Sequence, residues 1–184
     1  MWLDIGVIAM GIKAKLATGA CSLTVVIASY FGYSDGNSKM SVEGITNIIN
    51  CEGCNRVAYK DVAGIPTIGV GSTKGVVPGT VITDDEVGRR LASDIKQAES
   101  CFRRRVKADV TQSEYDAWVS FIFNKGCGAF SDSSALKLLN QGRHKEACQS
   151  MLLWNKITVN GKKVFSKGVY NRSLKDSQLC LKQL

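Results

Sequence analysis

Seven cysteines, at positions 21, 51, 54, 101, 127, 148 and 180 of a 184-residue chain, restrict the accessible folds more than any other feature. Zinc would require a second tight cysteine pair or several histidines. The chain has one C-x-x-C, from Cys51 to Cys54, and one histidine. Disulfides formed in an oxidising compartment are the better account, and an odd count leaves at least one thiol free or bonded outside the chain. Cys148 and Cys180 fall on two helices expected to pack together, and Cys101 and Cys127 each fall near a helix end. The expected structural pairs are therefore 148–180 and 101–127.

The N-terminus supports export. Lys13 and Lys15 precede eighteen uncharged residues, Leu16 to Tyr33, before Asp35. That length is about enough to cross a bilayer, with the lysines retained inside. Gly, Ala, Ser and Thr make up half of the run, so insertion is expected to be weak. No convincing Ala-x-Ala site marks it for cleavage, and Met10 is a second candidate start. Residues 1–33 read as a membrane segment, "SDGNSKM" (34–40) as a flexible linker, and 41–184 as the folded body. The net charge of +8 suits an anionic partner. Its densest spot, "CFRRRVK", lacks interleaved aromatics and reads as a solvated helix end, so nucleic acid is not expected.

In the body, Ser41 is a candidate N-cap for a helix with Val42, Ile45, Ile48 and Ile49 on one face and Gly53 as its stop. Residues 57–72 have β-hairpin composition, turning near Ala63–Gly64, and "GSTKGVVPGT" is a loop. "TDDE" (83–86) and "TQSE" (111–114) are capping boxes, the first opening one long helix to about Arg105. Shorter helices fit 133–141, 143–154 and 168–181. The expected fold is α+β and mainly helical: a small helix-plus-hairpin lobe, a long connecting helix, and a helical lobe.

Glu52 would lie at the negative end of its helix dipole, where a proton-bearing acid is favoured, and Asp61 on a polar hairpin. Two carboxyls in contrasting environments are the acid–base division of a glycosidase. Thr67, across the turn from Asp61, is placed to hold a water. That suits an inverting mechanism, in which the carboxyls stand roughly 6.5–9.5 Å apart.

The spacing Glu52-x8-Asp61-x5-Thr67, with Gly53, Tyr59, Gly64, Ile68, Gly69 and Gly71 in step, resembles the catalytic stretch of T-even-phage-type lysozymes. Residues 112–148 and 161–181 resemble the helical lobe and closing helix of phage endolysins, so the likeness covers about 41–182. It departs at Ser173 and Asp176, where relatives more often carry Arg and Glu, which touches a salt bridge rather than the chemistry. The resemblance implies a glycoside hydrolase of the β-1,4 bond between N-acetylmuramic acid and N-acetylglucosamine in peptidoglycan, working as a monomer. Glu52 would be the general acid, Asp61 would position or activate water, Thr67 would orient it, and Asn124 would bind substrate. Neither metal nor cofactor is implied.

The N-terminus resembles the signal-arrest-release class of endolysins. These are exported uncleaved, held at the inner membrane and later released into the periplasm, here of a Gram-negative host. With that class in view, Cys51 and Cys54 bracket Glu52 at a spacing that permits a disulfide, which would lock the glutamate. Cys21, once out of the bilayer, would open the lock by thiolate exchange, ending on either Cys51 or Cys54. A thiol oxidoreductase would need its C-x-x-C to open a helix, and here the motif ends one. A lytic transglycosylase and a non-catalytic wall-binding module are the other readings.

Overall fold

The computed structural model describes residues 19–61, 64–159 and 161–184. Met10, Lys13, Lys15, residues 16–18 of the apolar run and Ala63 of the expected turn lie outside them.

The chain forms α1 (Leu23–Tyr33), α2 (Val42–Glu52), β1 (Asn55–Lys60), β2 (Pro66–Gly69), α3 (Asp84–Arg105), α4 (Gln112–Lys125), α5 (Cys127–Ser131), α6 (Ser134–Asn140), α7 (His144–Ser150), β3 (Lys156–Val159), β4 (Lys162–Phe165) and α8 (Lys167–Leu181). The mainly helical α+β layout is the expected one. A small lobe of α2 and the antiparallel β1–β2 hairpin is joined by the 22-residue α3 to a helical lobe. Trp118, Phe121 and Phe130, all fully buried, pack edge-on or tilted at the centre of that lobe.

Local signals act largely as read. Ser41 caps α2 by accepting from the Gly44 amide, and Thr111 and Glu114 complete a reciprocal capping box on α4. The first box is only half made. Thr83 accepts from the Glu86 amide, but the Glu86 carboxylate is drawn to Arg89 and Arg90 on its own helix. Val42 departs from its expected face and is exposed. The β3–β4 hairpin is absent from the sequence reading, although Asn160–Gly161 between β-branched runs is a strong hairpin signal.

The larger departure is at the N-terminus. Among the described residues no helix is long and apolar enough to cross a membrane. The 11-residue α1 instead joins the core, with Val26 and Tyr30 fully buried. It lies so close to α3 that a Cβ on Gly88 would stand 2.5 Å from Ser29 Cβ and 2.8 Å from the Val26 carbonyl oxygen. At the exposed end, Ser29 and Tyr33 both donate to Asp85, each at 2.8 Å.

The end of the linker segment 34–40 is held by hydrogen bonds. Tyr30 shares a 2.6 Å hydrogen bond with Ser38, and Ser38 Oγ and the Lys39 amide donate to Glu99 at 3.0 and 2.9 Å. Tyr115 adds a third donor at 2.7 Å. Glu99 is 3% exposed, and a buried carboxylate demands such partners. Ser38 and Lys39 are pinned because the buried carboxylate needs their donors.

Gly88→Val is therefore expected to force α1 away from α3, costing about 1–3 kcal/mol as an overpacked contact. Thermal unfolding should show a lowered midpoint, and hydrogen exchange should show protection lost first in residues 23–33. An unchanged midpoint and unchanged α1 protection would contradict the contact.

Candidate active site

Glu52 is the last residue of α2, and Gly53 stops the helix with φ 75° while its amide donates to the Ile49 carbonyl at 2.8 Å. This aims the carboxylate into a cleft of about 520 Å³, lined also by Gly71, Lys74, Asp94, Gln97 and Asn124. The two carboxylate oxygens have different surroundings. Oε1 accepts from Arg172 Nη1 at 2.6 Å, with Asn124 Nδ2 farther off at 3.5 Å. Oε2 faces Gly71, where a Cβ would stand 3.6 Å away. A glycine at φ 75° lets the loop after β2 approach this closely.

Arg172 is the functional residue that the sequence reading missed. The departures at Ser173 and Asp176 raised a question about a salt bridge, and Arg172, one position earlier on α8, makes it. Its Nε donates to Asp176 at 3.2 Å, and its Nη2 donates to the carbonyl and hydroxyl of Ser120 at 3.3 and 3.1 Å. Asp176, 1% exposed, also accepts from Ser120 at 2.7 Å and Asn47 at 3.0 Å. Burial works against the charge of Arg172. The carboxylates of Asp176 and Glu52 outweigh it and push the guanidinium above its usual range. Burial drives the Asp176 carboxyl upward, and Arg172 and the two hydrogen bonds pull it back. Three adjacent signals (a buried Asp, its i−4 Arg, and a Ser on α4) are visible only once α4 and α8 are packed.

Asp61 and Thr67 sit on the β1–β2 hairpin and are not among the residues lining the cleft that holds Glu52 and Asn124. Asp61 Oδ1 accepts from the Ile65 amide at 2.8 Å, and the Asp61 amide donates to the Ile65 carbonyl at 3.0 Å. Thr67, 4% exposed, donates from Oγ1 to the same carbonyl at 2.9 Å. Tyr59 connects these groups. It pairs with Thr67 across the hairpin. Burial raises its hydroxyl pKa, and the charges of Glu52 and Asp61 push the same way. Both carboxylates thus act on one ring.

The covalent pairing is Cys21–Cys54, Cys101–Cys127 and Cys148–Cys180. Gly19 accepts from the Arg56 amide at 2.6 Å and Ala20 bridges to Asn55, which sets Cys21 beside Cys54 with Cα atoms 5.7 Å apart. The Cys51–Cys54 bond is not made here, because Cys54 can form one disulfide and Cys21 holds it. Cys51 is a half-buried thiol, 3.8 Å from Asn47 Oδ1. Burial pushes it above the usual thiol range, against the pull of Arg172.

Residues 49–176, which include Glu52, Asp61, Thr67 and Arg172, match the phage lysozyme family. The chain belongs to that family. This phage lysozyme is 36% identical over 137 residues to a SAR-endolysin of Pseudomonas phage phiKMV, covering 74% of its own length and 85% of that relative. It is 30% identical over 184 residues to the SAR-endolysin of Escherichia phage P1, covering 92% and 96%. Its fold is similar to the crystal structure of the active form of the P1 phage endolysin Lyz, with a TM-score of 0.79 at 29% identity over 90% of this chain and 96% of that one. As a phage lysozyme it is a glycoside hydrolase acting on peptidoglycan.

Arg172→Met should leave Asp176 as a buried, uncompensated carboxylate and release Glu52. The expected loss of stability is about 3–5 kcal/mol, measured by urea unfolding. Arg172→Lys should recover only part of it, since an ammonium cannot reach Glu52, Asp176 and Ser120 together. A methionine variant as stable as the parent would show that the cluster does not hold this lobe together.

Proposed function

We propose that this lysozyme is an endolysin hydrolysing the β-1,4 bond between N-acetylmuramic acid and N-acetylglucosamine, with Glu52 as general acid. The asymmetric seat of the Glu52 carboxylate carries the reading. Arg172 holds Oε1, so Oε2, beside Gly71, is the oxygen that bears the proton for the leaving sugar. Asp61, oriented by the Ile65 amide, polarises the attacking water. Thr67 sends its hydroxyl hydrogen to the Ile65 carbonyl, so its oxygen can accept a hydrogen from that water. Water-handling groups favour hydrolysis over the intramolecular route of a lytic transglycosylase. Asn124, on the same cleft as Glu52, binds substrate.

The second part of the proposal is regulatory. Residues 16–33 tether the exported chain to the inner membrane, and a Cys51–Cys54 disulfide then locks Glu52. On release into the periplasm, the Cys21 thiolate attacks Cys54 sulfur, the 21–54 bond forms, and Cys51 leaves and takes up a proton. Three disulfides and one thiol exist before and after, so no outside oxidant is required. The pairing of Cys21 with Cys54 and the free Cys51 are what the product of this exchange would contain. Burial keeps Cys51 protonated and hence a weak nucleophile toward the bond just formed. The SAR-endolysins among its relatives support the export and tethering in this scheme.

Glu52→Gln keeps the shape and removes the transferable proton, so lysis of isolated walls should fall at least about 10²-fold. Near-parental lysis would end the reading of Glu52 as the general acid of a glycosidase. Cys21→Ser should be exported and released but remain inactive until mild reductant opens the remaining bond. Full activity of that variant without reductant would remove the lock.

A further inference from the structure

The β3–β4 hairpin projects from the helical lobe with every strand residue exposed. Its register pairs Ile157 with Val164 and Val159 with Lys162, and strand alternation then puts Ile157, Val159 and Val164 on one face. These three are 43%, 44% and 46% exposed, although β-branched aliphatic side chains are favoured in interiors. On the other face, Phe165 leans on Tyr170 of α8 with ring centroids 5.9 Å apart, which fastens the hairpin to the body. The charge around it is one-signed. From Ala147 to Lys175 the chain has no Asp or Glu, and Lys156, Lys162, Lys163 and Lys167 are exposed in and beside the strands.

We propose that this hairpin docks on an anionic phospholipid surface, inserting Ile157, Val159 and Val164 among the headgroups while the lysines bind lipid phosphates. The pairing of features decides the partner. Lysines alone would suit any polyanion, the carboxylates of peptidoglycan included. Exposed branched aliphatics gain nothing from a hydrated glycan, and they gain on leaving water for the acyl boundary. Anionic lipid is the partner that uses both. The surface is separate from α1 and from the Glu52 cleft, so it acts in the released, folded enzyme. It would hold that enzyme at the membrane face rather than let it diffuse away.

The test uses the full chain in its Cys21–Cys54 form, verified by peptide mapping, so that α1 is docked and cannot itself insert. Co-sedimentation is measured with vesicles of phosphatidylethanolamine and phosphatidylglycerol, and with pure phosphatidylcholine vesicles. Binding should be strong to the first, weak to the second, and weakened by salt. Lys162→Glu/Lys163→Glu should lower affinity for the anionic vesicles at least about tenfold. Ile157→Ser/Val164→Ser should lower it too, and should abolish what binding remains at high salt. Both variants should lyse membrane-free sacculi at the parental rate, which reports on folding and on the Glu52 chemistry separately. Vesicle binding unchanged in both variants would overturn the proposal. So would vesicle binding kept while sacculus binding or lysis falls, which would assign the hairpin to the wall.

Discussion

The guanidinium of Arg172 is the group on which both lobes converge. It lies 9% exposed between the last turn of α2, the middle of α4 and its own helix, and it donates to Glu52, Ser120 and Asp176. A cation so buried is tolerable only because two carboxylates and two neutral acceptors surround it. The arrangement ties the cleft glutamate to the core of the helical lobe, so the position of the Glu52 oxygens follows from how α4 and α8 pack. Asn47 extends the same network from Asp176 to the thiol of Cys51. The carboxylate, the arginine and the free cysteine therefore share one set of hydrogen bonds.

A second constraint acts at the other end of the chain. α1 packs with backbone nearly touching backbone, and the small side chain of Ser29 opposite Gly88 makes that possible. Small residues of this kind also weaken the apolar run as a bilayer span. In the proposed scheme the same choice of Gly, Ala, Ser and Thr serves both needs, loose hold in lipid and close fit against α3. Ser38 and Lys39 donate to Glu99, and Tyr30 bonds Ser38, polar contacts that have no use in a membrane. The docked state is thus built from specific contacts rather than from apolar burial alone, and it brings Cys21 to Cys54.

The helices were legible because their signals are local. Caps at Ser41, Thr83 and Thr111, the stop at Gly53, and 3.6-residue apolar spacing along residues 87–102 place α2, α3 and the start of α4 almost to the residue. The β3–β4 hairpin was lost because its residues are exposed, with no alternating core face to mark it. Only its Asn–Gly pair announces it. Glu52, Asp61 and Thr67 were assigned by spacing, whereas Arg172 has an ordinary helical context in sequence. Its role exists only relative to Ser120 and Glu52, which lie 52 and 120 residues away. Tyr59 was likewise read as part of a pattern, and its pairing with Thr67 depends on the hairpin register.

The sequence by itself determined the mainly helical α+β class, the cysteine inventory with its odd member, the spacing of Glu52, Asp61 and Thr67, and the weak apolar run near the start. Each is a property of residue type and short spacing. The tertiary structure alone decided which sulfur Cys21 meets, which cation holds Glu52, and that Val26, Tyr30 and Met40 belong to the core. Each of those is a choice among partners of similar chemistry, made by backbone positions that only the packing of α1, α4 and α8 sets.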